Sequence, residues 1–151
     1  MPSTAPEADA LALSISTDPD QFDFDRLHAF IGHESYWAAG IPRATFERAV
    51  RNSLAFGVFD GAAQIGFARV VTDRATYAYL CDVFVASSHR GRGVGTWLIQ
   101  AVLAHPDLQG LRRTCLLTRD AQGLYKQFGF TEFPTPGRFL QRHDPDVYRR
   151  A

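Results

Sequence analysis

The stretch Arg90-Gly91-Arg92-Gly93-Val94-Gly95-Thr96 sets three glycines within five residues, between an apolar run that ends at Val85 and a helical pattern that begins near Val94. A strand-to-helix turn built of glycine lets backbone approach a ligand closely. The first helical turn leaves N–H groups without intrahelical partners at the positive end of the helix dipole, so such a turn attracts anions. Arg90 and Arg92 add charge-assisted donors, and phosphate is the guest these features suit. A plain tight connection is the alternative. Spacing argues against two other phosphate loops. A Walker loop needs Lys and then Ser or Thr after its last glycine, whereas Gly95 is followed by Thr96 and Trp97 with no lysine nearby. A dinucleotide fingerprint needs Gly-x-Gly-x-x-Gly and an acid about 20 positions later at the end of the next strand. Here the glycines are spaced two and two, and Asp120 follows Arg119 at the start of a helix.

On the N-terminal side, Tyr77–Val85 reads as a long buried strand, rich in aromatic and branched residues. Before it, Leu54, Phe56 and Val58 alternate, Asp60-Gly61 supplies a hairpin turn, and Ile65 and Phe67 resume the alternation. Residues 11–16 alternate as a short strand, and Phe24, Leu27, His28 and Ile31 share one side of a helix. Pro42 suits the first turn of a second helix carrying Phe46, Ala49 and Val50. On the C-terminal side, Val94, Trp97, Leu98, Ala101 and Val102 form a helical stripe. Residues 114–117 form a strand, and Ala121, Leu124, Tyr125 and Phe128 a further stripe that Gly129 ends. Residues 130–133 begin another strand and residues 138–142 offer one more. Strand, helix, strand, helix implies a right-handed crossover and parallel pairing. The class is α+β, with a mixed sheet of six to seven strands, antiparallel at first and then parallel, and about four helices.

With 151 residues, 46% apolar and 13% aromatic, the chain can enclose one core and not two. Residues 11–151 are expected to form a single domain, with residues 1–10 flexible. Sixteen basic and sixteen acidic residues cancel, which excludes the strongly basic balance of a dedicated nucleic-acid binder. All six acids of residues 1–25 stand there without a base, so the rest of the chain carries a surplus of six bases, suited to a small anionic ligand. Cys81 and Cys115 are too few and too far apart for a disulfide framework, and no histidine spacing suits a metal. The first ten residues lack a basic start and an apolar core, and no uncharged run reaches the roughly 18 residues needed to cross a bilayer. A cytoplasmic protein without membrane contact is expected.

On three features the chain resembles the GNAT superfamily of N-acetyltransferases. Arg90-Gly-Arg-Gly93-Val-Gly95 matches the Gln/Arg-x-x-Gly-x-Gly/Ala motif, Leu80-Cys-Asp-Val-Phe-Val85 is similar to the fourth strand, and Leu124-Tyr-Lys-Gln-Phe-Gly-Phe130 is similar to the Leu/Phe-Tyr-x-x-x-Gly-Phe element. The likeness is strong from residue 57 to 133. It implies a GNAT-like fold, acetyl-CoA as co-substrate, no metal, and transfer to an amine by direct attack in a ternary complex. It also implies that Val83, Phe84 and Val85 offer backbone to the pantetheine arm. Arg90, Gly91, Arg92, Gly93, Val94, Gly95 and Thr96 would hold the pyrophosphate. Thr118 stands where many members place an asparagine on the pantetheine. Tyr125 stands at the position of the general acid that reprotonates the departing thiolate, and a core tyrosine is the alternative.

Asp82 lies in an apolar strand, where an unpartnered carboxylate costs several kcal/mol. Resemblance to polyamine-type members makes it a catalytic base toward the acceptor; an ion pair with Arg69 is the competing reading. Trp37, Arg69 and Tyr79 are candidate substrate contacts. Tyr36 and Trp37 either wall an aromatic pocket, since a cation gains from stacking over a ring, or anchor their loop. The acceptor is a small-molecule or peptide amine, and the resemblance leaves a homodimer open. Two other classes compete: a non-catalytic acyl-CoA-binding module, and a phosphate-loop nucleotide binder that the missing lysine opposes.

Overall fold

A computed structural model describes residues 12–151. The flexible segment expected at residues 1–10, and Leu11 of the first expected strand, lie outside them. The elements run β1 (Leu13–Ser16), α1 (Phe24–Ala29), α2 (Arg43–Arg51), β2 (Leu54–Asp60), β3 (Ala63–Thr72), β4 (Tyr77–Val85), α3 (Val94–Ala104), β5 (Arg113–Leu116) and α4 (Gln122–Lys126). The five strands form one sheet in chain order, antiparallel from β1 to β4 and parallel between β4 and β5.

Local chemistry sets the joints. Gly61 takes φ 58° between β2 and β3. At the next turn the Asp73 carboxylate accepts from the N–H groups of Ala75, Thr76 and Tyr77 and from the Thr76 hydroxyl. Pro42 precedes the first residue of α2, and at the end of α4 the Phe130 N–H returns 3.3 Å to the Tyr125 carbonyl.

Each face of the sheet buries its own core. On one face Phe22, Phe24, Leu27, Ile31, Phe46 and Val50 from the α1 and α2 region cover Phe67 and Phe84. On the other, Leu98, Ile99 and Val102 of α3 cover Leu54, Phe56, Val58, Val70, Ala78 and Leu80, with Tyr125 of α4 in the same cluster. A strand alternates faces, so Leu80 and Phe84 of β4 should share one. They do not, because Ala68 of β3 stands opposite both Asp82 and Val83, between the pairs Phe67–Phe84 and Arg69–Cys81. The extra residue is a β-bulge with Asp82 at φ 54°, a left-handed conformation that Asp tolerates better than most residues.

Among the described residues the expected sixth and seventh strands, at residues 130–133 and 138–142, are absent. Residues 131–147 are exposed throughout, with only single 3-10 turns at Pro136–Arg138 and Val147–Arg149. Pro134 and Pro136 remove backbone donors, and alternation cannot order a segment that covers no core. The four helices agree with the sequence reading. After α1 the chain widens into a π-turn, Phe30–Glu34, and Ser35, buried, donates from its hydroxyl to the Ile31 carbonyl at 2.5 Å. That turn launches the loop that reaches the site.

Candidate functional site

The glycine turn opens α3. Gly91 (φ 75°) and Gly93 (φ 80°) both take the left-handed conformation, which costs other residues about 1–2 kcal/mol each. The helix ladder starts with the Trp97 N–H donating 3.0 Å to the Gly93 carbonyl. The N–H groups of Val94, Gly95 and Thr96 therefore face outward without intrahelical acceptors, and no acid occupies that turn. Arg90 is turned back, its Nε donating 2.9 Å to the Val85 carbonyl, so it braces the loop against β4, while Arg92 lies exposed. His89 ties the same loop to the β2–β3 hairpin through Nε2, 2.9 Å from Asp60 Oδ2.

Beside this turn the sheet splits. The β4–β5 ladder runs from Tyr77–Arg113 only to Leu80–Leu116, while β4 continues five more residues to Val85. Residues 81–85 thus have no strand partner on the β5 side, and a slot opens from the glycine turn toward Asp82. A diphosphate on the helix end and an extended amide-bearing arm in the slot fit these donors. Val83, Phe84 and Val85 lie in this part of β4, beyond the last β5 pair. Thr118 is at the far wall, but its hydroxyl accepts from the Ala121 N–H at 3.0 Å and so helps begin α4.

Asp82 is the one buried charged residue among those described. Its Oδ2 accepts from Arg69 Nε and its Oδ1 from Trp37 Nε1, each at 2.7 Å. Arg69 also donates 3.1 Å to the Ser53 hydroxyl. Burial alone would lower the Arg69 guanidinium; the Asp82 charge and hydrogen bond outweigh it and hold Arg69 above its ordinary value. Three of the sequence-selected residues, Trp37, Arg69 and Asp82, are thus one network. Tyr79 lies two residues before Cys81 on β4 and lines a cleft of about 790 Å³ beside β5, which Thr118 and Tyr125 also line.

Tyr125 is buried, and its hydroxyl has no hydrogen-bond partner among the described residues. Burial, and to a smaller extent nearby Tyr36, raise its phenol above the ordinary value. Sequence reasoning missed one contact altogether: the Arg119 guanidinium stacks on the Tyr36 ring, 3.9 Å from its centroid. Tyr36 and Trp37 are edge-to-face at 5.0 Å. The loop after the π-turn therefore bridges the slot, held on the β4 side by Asp82 and on the β5 side by Arg119. Only the meeting of two loops 83 positions apart makes that contact, and no local pattern announces it.

Among the described residues no group of three His, Cys, Asp or Glu side chains could hold a metal, and no helix is long and apolar enough to cross a membrane. A family model described as the GNAT acetyltransferase domain matches residues 51–132. A protein of Gibberella zeae that carries the provisional name of acetyltransferase is 32% identical over 142 residues, covering 79% of each chain. The crystal structure of a provisionally named GNAT-family acetyltransferase from Xanthomonas campestris superposes with TM-score 0.88 at 47% identity, covering 90% of this chain and 96% of that one. Another, from Deinococcus radiodurans, shares the fold at TM-score 0.72 and 18% identity, covering 93% and 95%.

Proposed function

Because the chain belongs to the GNAT acetyltransferase family, we propose that it moves an acetyl group from acetyl-CoA to an amine of a small molecule or peptide, by direct attack in a ternary complex. The observation that carries this reading is the glycine turn at a helix start that opens onto a slot between parting strands. When bound, acetyl-CoA supplies the activated acyl group and a thiolate leaving group. The chain's own work is placement: N–H groups of residues 93–96 take the diphosphate, and free backbone of residues 83–85 aligns the arm. Those N–H groups of residues 81–85 that face away from β3 would be available to the charge developing on the acyl oxygen.

Tyr125 would give its phenolic proton to the departing thiolate and regain one from water; the raised phenol keeps that proton through neutral pH until then. Of the two roles open to Asp82, the paired one is supported by its 2.7 Å contacts, and we assign it to holding Arg69 and the Trp37 loop. An acceptor that arrives as an ammonium would lose its proton to water before the neutral amine attacks.

The test is acetyl-CoA binding by calorimetry and thermal melting, on wild type and on Gly93→Glu. Ligand at about 100 times its Kd adds about 2.7 kcal/mol to native stability, which should raise Tm by roughly 5–10 °C. Gly93→Glu should lose the binding. A folded wild-type protein that binds no acetyl-CoA would overturn the reading.

A further inference from the structure

The geometry points to an acceptor that carries an anionic group, a carboxylate or a phosphate, beside its reacting amine, with Arg119 as the residue that recognises it. The inference rests on the acetyltransferase reading and narrows its substrate class.

Two observations carry it. The first concerns the acid of the site. A polycationic amine needs uncompensated carboxylates to hold it, and Asp82 is the one buried charged residue described. Its two oxygens are already committed, to Arg69 and to the Trp37 indole. That network is charge-balanced and has no negative charge left over for a polycation.

The second concerns Arg119. Its guanidinium lies over the Tyr36 ring at 3.9 Å, and it makes no hydrogen bond among the described residues. Its nearest carboxylate is that of neighbouring Asp120, 3.9 Å away with both side chains largely exposed, a contact of negligible strength. A guanidinium held over a ring and hydrogen-bonded to nothing among the described residues keeps its N–H groups available, in the fork that matches two oxygens of a carboxylate or phosphate. Stacking also fixes the side chain before a ligand arrives, which lowers the ordering cost of binding. The place is right. Tyr36 packs on Trp37, whose indole donates to Asp82, and Tyr36 also bears on the ionisation of Tyr125, so Arg119 joins the Asp82 network through one ring on the side of the proposed acid.

The experiment compares acetylation of matched amines, after calorimetry has shown that acetyl-CoA binds. The probes are α-amino acids against their amides and decarboxylated forms, phosphoethanolamine against ethanolamine, and spermidine as the polycation. The expected result is a higher kcat/KM for an anionic member than for its neutral partner by about 10- to 100-fold, the range of a charge-assisted hydrogen bond. Whether the amino acids or the phosphate ester lead identifies the anion. In Arg119→Gln the anionic-to-neutral ratio should collapse toward one, and Arg119→Lys should restore part of it. Tyr36→Leu should lower the ratio by loosening the guanidinium. Both positions are exposed, so these variants should fold. Equal or better use of neutral amines or spermidine, no turnover of any anionic probe by a protein that binds acetyl-CoA, or a ratio unchanged in Arg119→Gln would each overturn the inference. Failure of wild type to bind acetyl-CoA would instead remove the acetyltransferase reading beneath it.

Discussion

Asp82 and Arg69 are a buried pair, with side-chain exposures of 6% and 19%. Removing one partner leaves the other charge stranded, which costs about 3–5 kcal/mol in comparable cases. Arg69→Met should therefore lower the urea midpoint sharply. Asp82→Asn keeps an acceptor for Trp37 and loses the charge that balances Arg69, and it separates two roles. With Asp82 as a positioning residue, its acceptor KM rises and the shape of the pH–rate profile stays as in wild type. With Asp82 as the base, the acidic limb of that profile disappears. Tyr125 calls for a different measurement. Tyr125→Phe keeps the ring in its cluster and removes the proton, so kcat should fall by about 10²–10⁴-fold while acetyl-CoA affinity holds. Unchanged turnover in that variant would return Tyr125 to the core and favour a module that binds acyl-CoA without using it.

At the scale of single elements, the β3–β4 turn shows how one side chain can hold two strands. Asp73 collects hydrogen bonds from Thr76, Ala75 and Tyr77, and these hold its carboxyl well below the usual carboxylate range. A depressed native pKa means the contribution is present above the unfolded value near 3.9 and lost as pH falls below it. Asp73→Ala should thus melt below wild type at pH 7, and the gap should close as the pH drops through about 4 and below. The β2–β3 hairpin, the α3 stripe and the glycine turn were plain in the sequence, because each is written in residues that touch their own neighbours. The β4 bulge was not. Tyr77–Val85 has no glycine to mark it, and the flip of Phe84 to the α1 face depends on what Ala68 pairs with across the ladder. The extra strands failed for the converse reason: residues 130–142 alternate in part, but only Phe130 reaches the core and residues 131–142 stay exposed. The Arg69–Asp82 pair was legible as an option, since a buried acid demands a partner, whereas the Tyr36–Arg119 stack belongs to tertiary structure alone.

Across the whole molecule, several neutral acids on and beside β4 share one bias. Burial beside Asp82 pushes the Cys81 thiol up to about 12 despite Arg69. A hydrogen bond to Cys115, with burial, pushes Tyr77 up to about 12, and burial raises Tyr79. Each raised pKa favours the protonated native state. Stability is therefore full below the unfolded values, roughly 8.5–10, and drains away as pH climbs through the folded ones. Thermal melts should be flat from pH 7 to about 8.5 and fall steadily above it, and Cys81→Ala should remove part of the fall. The order of strands has a consequence in time. Strands β2, β3 and β4 follow one another through short turns, so this part of the sheet can close locally as the chain emerges from the ribosome, with β1 already made and waiting beyond α1 and α2. Strand β5 joins only after the intervening α3 has been made and packed. The slot between β4 and β5 is thus the last part of the sheet to exist, and a ligand spanning it rewards only finished molecules, drawing late folding intermediates toward completion.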